Sequence, residues 1–367
     1  MTKIYLIASK DNNFYNFRSE LILKLVELGY YVTLICPYGK KMDYFTERGC
    51  HFIDQYMDRI GKNAINDRKQ IAGYYKILKN GKPDIVLTFT TKCSIYTSIV
   101  CRWLGIPYIV NNAGLVENNM GLLDTILRTL YKIGFSKAKC MMYQNSRERD
   151  YLNAIIGKNV HYRDIPGSGV NLDNFKFVDY PKDDGEIYFN YVARIVQNKG
   201  IDEYLECAKI LKPKYPHCHF LIYGDYDNDE YRTIISDLIN RGIIEYGGIQ
   251  IDMKPCIARA HAAIHPSYYE GMTNVVLEHG SVGRPSIVSN IPGCVEGVDD
   301  GKSGYIFEVK NVPSMVKAVE KFINLPYADK VAMGKAAREK MEREFDRNIV
   351  TNTYIEEIDK ILAGAKK

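Results

Sequence analysis

The chain has 367 residues, of which 46% are hydrophobic and 25% charged, the balance of a folded globular protein rather than a disordered one. No apolar run reaches the roughly 18 residues that a transmembrane helix needs, and the start, MTKIYLIASKDNNF, is typical of a first strand rather than a signal peptide. The nine cysteines are scattered and include no C-x-x-C pair, which favours reduced thiols in the cytoplasm over a disulfide framework.

Charge is divided unevenly along the chain. Residues 1–168 carry 24 lysines and arginines against 14 aspartates and glutamates, a balance of +10, and the rest of the chain carries 25 against 30, a balance of −5. A basic half favours an anionic partner such as membrane lipid, nucleic acid or a phosphorylated substrate, with an uneven but solvated surface as the alternative. Because no nucleic-acid-binding motif accompanies the charge, we do not expect nucleic acid as a partner.

Short apolar runs alternate with helical patterns through the first half. KIYLIAS, YVTLICP, DIVLTFT and PYIVNNAG are typical of buried strands, whereas FRSELILKLVELG and TSIVCRWLG have apolar residues at helical spacing. A long amphipathic helix is predicted from Leu122 to Lys139, and it also carries Arg128, Lys132 and Lys137.

The second half repeats this alternation. EIYFNYVAR, CHFLIYGD, AAIHPS and PSIVSN are predicted strands, and IDEYLECAKILKPKYP, EYRTIISDLINRG and VVLEHGSVG are predicted helices. Such alternation predicts α/β domains with parallel sheets and helices on both faces, here two Rossmann-like doubly wound domains facing a central cleft. The segment IPGSGVNLDNF (165–175), rich in Gly, Pro, Asn and Asp, is the expected boundary, so the domains are predicted at 1–168 and 169–347.

A loop in the second half is predicted to bind a diphosphate. In YVARIVQNKGIDEYL a strand ends near Ala193, a loop follows with Arg194, Lys199 and Gly200, and a helix begins near Ile201. Ligands of open parallel sheets bind beyond the carboxyl ends of the strands, and two cations beside a helix amino terminus favour phosphate. Arginine and lysine are also common on surface loops, so an ordinary solvated loop is the alternative.

The segment HPSYYEGMTNVVLEHG has two glutamates, Glu270 and Glu278, around the predicted start of another helix. Thr273 or Asn274 is the expected N-cap, and Gly271 allows the backbone to approach a ligand closely. Glu278 lies about one turn into the helix, within reach of a ribose diol. Glu270 precedes the helix and would reach the group beyond the phosphate. The spacing therefore suits a nucleotide-sugar, and two surface carboxylates are the alternative.

Two patterns imitate metal sites, and we expect no metal at either. DYDND (225–229) has Glu230 and Ser236 where a calcium loop needs glycine and glutamate, so a solvated loop is expected. His261 and His265 are four residues apart, but His265 precedes a proline at a strand end, so the two do not share a helix face.

The glutamate pair and its flanking segments resemble a known family. E-x7-E in PSYYEGMTNVVLEHG, preceded by VARIVQNKG and followed by GRPSIVSNIPGCVEGVDDGKSGYIF, resembles the donor domain of family 4 of the retaining glycosyltransferases, which have the GT-B fold. In the first half, DNNFYNFRSEL, GIPYIVNNAGL and IPGSGVNLDNF are similar to bacterial members that build lipid-linked capsule, O-antigen or glycan oligosaccharides. The resemblance covers nearly the whole chain. It implies an acceptor-binding first domain, a donor-binding second domain, and a C-terminal helix, about 348–367, that returns to the first domain.

The resemblance also implies roles for residues of the second domain. Arg194 and Lys199 would hold the diphosphate, Glu270 would contact the donor sugar, and Glu278 would bind the ribose hydroxyls. The other donor-binding residues implied are at the helix start and near the base: Gly271, Met272, Thr273, Asn274, Val275, Gly224, Asp225 and Gln250. No cofactor or metal is expected, because cations and helix-end amides suit the charge on a departing phosphate.

On the acceptor side the residues implied are Asn16, Arg18, Asn112 and Gly114. Two departures from the family pattern lie here: the first loop, SKDNNFYN, has no glycine, and NNAGL stands where many relatives have a histidine. The basic first half and the helix 122–139 favour contact with an anionic membrane surface, with ordinary core packing of that helix as the alternative.

These patterns predict a retaining glycosyltransferase that transfers a hexose or N-acetylhexosamine from a UDP-sugar to a lipid-diphosphate-linked saccharide. We expect it to act in surface polysaccharide or glycan biosynthesis, in the cytoplasm, bound peripherally to the inner leaflet of the bacterial plasma membrane. The alternatives are a nucleotide-sugar epimerase of the same fold and a non-catalytic nucleotide-sugar-binding protein. The motifs do not define the donor sugar, the linkage or the oligomeric state.

Overall fold

The computed structural model describes residues 1–57, 64–112 and 121–365. The chain forms two compact units, one of Met1–Ser168 with Asn348–Lys367 and the other of Gly169–Arg347. Each unit has a parallel sheet, so the predicted α/β fold class with two parallel-sheet domains is confirmed.

The first unit contains a seven-stranded sheet in the order β3-β2-β1-β4-β5-β6-β7. Its strands are β1 Lys3–Ile7, β2 Tyr31–Cys36, β3 His51–Asp54, β4 Ile85–Phe89, β5 Tyr108–Asn111, β6 Cys140–Tyr143 and β7 Tyr162–Asp164. Its helices before the unit boundary are α1 Asp11–Phe17, α2 Ser19–Glu27, α3 Lys41–Thr46, α4 Ala64–Gly81, α5 Thr91–Leu104, α6 Leu122–Phe135 and α7 Ser146–Ile156. Strands β4, β5 and β6 are buried along their whole length, which explains why they are continuous apolar runs rather than alternating ones.

The helix predicted to reach Lys139 is shorter, because α6 ends at Phe135. The Ala138 amide closes a turn onto the Phe135 carbonyl, and the Lys139 amide donates to the Tyr108 carbonyl. That second bond already pairs the chain with the start of β5, so a helical backbone cannot continue there. Lys137 and Lys139 therefore lie on the connection into β6.

The second unit contains a six-stranded sheet in the order β10-β9-β8-β11-β12-β13. Its strands are β8 Ile187–Val192, β9 Cys218–Tyr223, β10 Glu245–Gly248, β11 Ala262–His265, β12 Ser286–Ser289 and β13 Gly304–Phe307. Its helices are α8 Ile201–Lys214, α9 Glu230–Asn240, α10 Lys254–Arg259, α11 Asn274–Val282, α12 Val312–Ile323 and α13 Tyr327–Glu344. The main core packs Phe189 and Phe220 of the sheet against Tyr204 of α8 and Phe322 of α12.

The last helix, α14 (Arg347–Ala365), packs on the first unit, as the resemblance implied. Its buried residues Val350, Tyr354 and Ile358 belong to the core that contains the strands of that unit. The Tyr354 hydroxyl accepts a hydrogen bond of 2.8 Å from Asn111 Nδ2, at the end of β5. The helix therefore contributes both apolar packing and a buried polar contact to the first unit.

Buried Glu357 also ties α14 to the sheet. Its carboxylate binds His161, Arg163 and Lys360 at 2.8 to 2.9 Å. With Cys140, His161 and Glu357 form a group whose ligand atoms lie within 4.8 Å of one another, a spacing that metal ligands can have. The two flanking cations already compensate the charge of Glu357, so the contacts fit an ion-pair network that fastens α14.

Candidate active site

Strand order identifies where a ligand of the second unit would bind. Strand β8 lies between β9 and β11, and the chain leaves β8 towards β9 and β10 before it crosses to β11 on the other side. In open α/β sheets, ligands bind beyond the carboxyl ends of the strands at such a reversal. The segment after β8 carries Arg194 and a short 3₁₀ turn, Gln197–Lys199, and the segment after β11 carries Glu270 and leads into α11. The structure therefore brings these predicted residues to the edge of the sheet where ligands bind.

Glycines allow the segments around the reversal to touch backbone to backbone. Gly200 has φ +70°, and a Cβ there would overlap the carbonyl group of Pro266. Gly224 has φ +149°, and a Cβ there would overlap the carbonyl oxygen of Ala193. Any side chain at either position would push the segments apart and strain the backbone. These glycines therefore fix the distance between the segments that carry the charged residues.

One oxygen atom of Glu270 binds three donors. Its Oε1 lies 2.6 Å from Lys199 Nζ, 2.7 Å from Ser267 Oγ and 3.0 Å from His265 Nε2. A carboxylate only accepts hydrogen bonds, so the histidine nitrogen facing it carries the proton. His265 Nε2 also lies 3.1 Å from Thr273 Oγ1, and the Thr273 hydroxyl makes no cap hydrogen bond to α11.

These contacts keep Glu270 ionised. Burial raises its pKa, but the hydrogen bond and charge of His265, and then those of Lys199, outweigh burial and lower the pKa to about 2. A carboxylate with such a low pKa is a weak base, because its charge is already stabilised by donors. The arrangement suits a group that accepts hydrogen bonds from ligand hydroxyls and orients them.

Glu278 has the opposite surroundings. It lies one turn into α11, half-buried, and burial raises its pKa to about 7 while the charge of Arg347 opposes that rise. From residues 1–57, 64–112 and 121–365, no hydrogen bond or ion pair reaches its carboxylate. A shielded carboxylate in this condition is suited to accept hydrogen bonds from a ligand diol.

The amino terminus of α11 is shaped by a second loop. Gly293 has φ +90°, and a Cβ there would lie 2.7 Å from the Gly271 carbonyl oxygen. The Thr273 amide donates to the Gly293 carbonyl, so this amide, expected among the phosphate-binding groups, is already used. Met272 is buried in a small apolar cluster. No side chain among the described residues caps α11, whose first turn begins with Asn274 and Val275. A helix amino terminus of this kind favours an anion.

The remaining donor-side residues lie at neighbouring strand ends. Arg194 is exposed and pairs with Asp227 at 2.9 Å, so the DYDND loop is solvated but supplies one counter-ion. Gly224 follows β9 directly, and its carbonyl accepts a hydrogen bond from the Tyr246 hydroxyl. Gln250 is exposed just after β10, and its amide donates to the Gly247 carbonyl.

The acceptor-side residues lie in the first unit, at the segments after β1 and β5. Asn16 is exposed on α1, whereas Arg18 is buried, with its guanidinium 5.0 Å from the centre of the Phe89 ring. Asn112 is buried and donates to Glu148, whose pKa burial raises to about 8. Gly114 lies outside the described residues.

Sequence reasoning missed the hydrogen-bonding roles of His265 and Ser267. The sequence pattern offers His265 only as a candidate metal ligand, yet its position at the carboxyl end of β11 indicates that it faces the ligand-binding edge. A further contact holds the same segment: the Tyr268 hydroxyl donates to Glu203 at 2.7 Å, and the Tyr268 amide donates to the Asn198 carbonyl. These contacts fix the Glu270 segment against the turn that carries Lys199.

Two family models match the chain side by side. A model described as glycosyl transferase 4-like matches residues 3–145, and one described as glycosyl transferases group 1 matches residues 173–340. Neither model describes an epimerase or a non-catalytic binding protein, so those alternatives gain no support. Within the described ranges, no helix has the length and apolar character to cross a membrane.

Two curated relatives align with this chain along most of their length. The N,N'-diacetylbacillosaminyl-diphospho-undecaprenol alpha-1,3-N-acetylgalactosaminyltransferase of Campylobacter jejuni is 23% identical over 98% of this chain and 99% of its own. The UDP-Gal:alpha-D-GlcNAc-diphosphoundecaprenol alpha-1,3-galactosyltransferase of Escherichia coli is 26% identical over 90% of this chain and 87% of its own.

Solved structures share the fold. Sucrose-phosphate synthase from Thermosynechococcus elongatus has a TM-score of 0.79 at 19% identity and covers 99% of this chain and 100% of its own. Anabaena HepE, solved in complex with UDP, has a TM-score of 0.76 at 13% identity and covers 98% of this chain and 100% of its own.

The two models and the curated relatives define the chain as a glycosyltransferase. It belongs to glycosyltransferase family 4, with the GT-B fold, and the resemblance stated from its motifs is thereby confirmed.

Proposed function

We propose that the protein transfers a hexose or N-acetylhexosamine from a UDP-sugar, with retention of configuration, to a lipid-diphosphate-linked saccharide in surface polysaccharide or glycan biosynthesis. The names of the C. jejuni and E. coli relatives support this donor and acceptor chemistry. The observation that carries the proposal is the contrast between the two glutamates. Glu270 is bound by three donors, whereas Glu278 receives no hydrogen bond from the described residues.

Each charged group of the site has a role in this proposal. Lys199 and Arg194 bind the diphosphate and stabilise the charge that develops as it leaves, together with the amides at the start of α11. Glu278 accepts hydrogen bonds from the ribose diol. Glu270 accepts hydrogen bonds from the donor sugar and orients its anomeric carbon. Gly224 and Gln250 lie near the base.

The proposed reaction is a front-face displacement. The bond between the anomeric carbon and the diphosphate oxygen breaks, and the acceptor hydroxyl oxygen bonds to the same face of that carbon. The hydroxyl proton passes to the departing phosphate oxygen. Glu270 is not the nucleophile in this scheme, because an ionised carboxylate bound by Lys199, Ser267 and His265 has little remaining nucleophilicity. No step requires a metal ion, so EDTA should leave turnover unchanged.

The first unit supports membrane docking through α6. Arg128 and Lys132 are exposed on this helix, and so are Ile126 and Ile133, at 46% and 42%. Trp103, at the end of the adjacent α5, is 63% exposed. Basic helices with exposed apolar and tryptophan side chains bind the surface of anionic bilayers. We therefore propose that the protein is peripheral on the inner leaflet, where a lipid-linked acceptor would be presented.

Product analysis tests the proposal. The protein is incubated with single UDP-sugars, with and without an undecaprenyl-diphosphate-linked saccharide, and both UDP and the glycolipid product are measured. We expect acceptor-dependent release of UDP and an α-linked product by NMR. Conversion of the donor sugar without UDP release would indicate an epimerase, and tight binding without either product would indicate a binding protein.

A matched pair of variants connects activity to the site. Lys199→Ala should abolish most turnover, whereas Lys209→Ala should leave it unchanged. Lys209 is a suitable control because it lies on α8 close in sequence to Lys199 and makes only an i,i−3 ion pair with Glu206 among the described contacts. Equal activity of the two variants would contradict the assignment of Lys199.

A further inference from the structure

Both proposed diphosphate-binding cations are bound by carboxylates, but in different surroundings. The Arg194–Asp227 pair is open to solvent, with side chains 59% and 44% exposed, so water screens it and it contributes little. The Lys199–Glu270 pair is shielded, with side chains 21% and 15% exposed and a distance of 2.6 Å. A diphosphate that binds Lys199 must therefore compete with Glu270 for it.

The two partners of this pair are held differently. Glu270 keeps two further donors, Ser267 Oγ and His265 Nε2, and its segment is fixed to the neighbouring turn through Tyr268. Lys199 reaches Glu270 with a long side chain at the end of a 3₁₀ turn. Its ammonium group can rotate towards another anion while the backbone and Glu270 stay where they are.

We propose that Glu270 and the nucleotide diphosphate compete for Lys199, and that this competition lets the enzyme bind intact donor in preference to free UDP. The proposal rests on the proposed function, because it assumes that UDP and a UDP-sugar occupy this site. When UDP alone binds Lys199, Glu270 loses the Lys199 contact and UDP supplies no hydroxyl of a donor sugar to replace it. When a UDP-sugar binds, the sugar hydroxyls donate to Glu270 and replace the lost contact.

The competition has a consequence for turnover. After transfer, the sugar hydroxyls leave with the product saccharide, and UDP remains beside a Glu270 that has lost both Lys199 and the sugar hydroxyls and keeps its contacts with Ser267 and His265. Lys199 then returns to Glu270, and UDP binds more weakly because it has lost the contact with Lys199. The same carboxylate thus orients the donor before the reaction and promotes release of the nucleotide after it. When only a small fraction of the free protein has the arrangement that a ligand binds, the apparent affinity for that ligand falls in proportion to that fraction.

Calorimetry with UDP tests the competition. Glu270→Gln removes the charge that competes for Lys199 and keeps the size of the side chain, so it should bind UDP about tenfold more tightly than the wild type, within the usual range for coupled sites. In a Lys199→Met background the same change should have no such effect. Ser267→Ala is the control, because it removes a neutral donor from the same Glu270 oxygen and should not tighten UDP binding.

The possible outcomes separate the two proposals. If the wild type does not bind UDP, the proposed function fails. If the wild type binds UDP but Glu270→Gln binds it no more tightly, or tightens equally in the Lys199→Met background, the competition is refuted. A crystal structure of the wild type with UDP gives a test that does not depend on variant folding: Lys199 Nζ should have left Glu270 for the phosphate, and an unchanged contact would overturn the proposal.

Discussion

Glutamine in place of Glu278 should stabilise the folded protein while it weakens nucleotide binding. The carboxyl has a pKa of about 7 in the folded chain against an ordinary value of 4.5, because burial disfavours its charge. A pKa that is raised on folding means that the group's contribution to stability is fully present below the unfolded pKa and is lost as the pH rises through the folded pKa. Ionised Glu278 therefore destabilises the folded protein at pH 8, and glutamine at this position removes the destabilising charge.

The size of the effect follows from the shift. Each pKa unit corresponds to about 1.4 kcal/mol, so ionisation of Glu278 lowers the free energy of unfolding by at most about 3 kcal/mol above pH 8. At pH 5 Glu278 lowers the free energy of unfolding by less than about 1 kcal/mol, because the folded protein then has Glu278 protonated. For a unit of this size, the gain at pH 8 corresponds to a rise in melting temperature of about 5–10 °C.

Urea and thermal unfolding of the wild type and Glu278→Gln, without nucleotide, at pH 5 and pH 8 measure the difference. Glu270→Gln is the matched control of opposite sign. The pKa of Glu270 is lowered to about 2, so its charge contributes stability above the unfolded pKa, and its removal should destabilise the protein at both pH values. An equal effect of Glu278→Gln at the two pH values, or a loss of stability at pH 8, would refute this account.

Three other predictions concern binding and activity. The dissociation constant for UDP should rise as the pH falls below about 7 and level off once Glu278 is protonated, because the ionised carboxylate accepts hydrogen bonds from the ribose more strongly, and calorimetry should show a flat profile for Glu278→Gln. Lys199→Ala and Arg194→Ala should each lower turnover about 10²- to 10³-fold, measured as UDP release, with the smaller loss at exposed Arg194; near-normal rates in both would remove the diphosphate assignment. Joint replacement of four basic side chains should reduce sedimentation of the protein with anionic liposomes at low salt. The four are Arg128, Lys132, Lys137 and Lys139. Unchanged sedimentation would mean that α6 is an ordinary packing helix.

The fold could be predicted from the sequence because buried parallel strands are continuous apolar runs and their helices have a clear period. The position of the site could be predicted for the same reason. Parallel strands bring their carboxyl ends to one edge, so Lys199 and Glu270, 71 residues apart, were both expected at that edge. Their direct contact was not expected, because it depends on the close packing of Gly200 on Pro266, which no local pattern reveals.

Other features depend on contacts that are distant in sequence. The Thr273 amide was expected to face phosphate, but its partner is the Gly293 carbonyl, from the loop that follows β12. Arg18 is predicted on the acceptor side, and its guanidinium lies over the rings of Phe89 and Tyr354. Tyr354 belongs to the last helix of the chain, so the surroundings of Arg18 could not be deduced from the segment around it.

The return of α14 to the first unit affects how the protein is made. The core of that unit includes Val350, Tyr354 and Ile358, so residues 1–168 do not contain all of their own interior. Domains usually fold in order during synthesis. Here the second unit, Gly169–Arg347, is complete while the first still exposes the apolar surface that α14 will cover. Loss of the last helix should therefore damage the amino-terminal unit, and a nascent chain should need protection of that surface until α14 has been synthesised.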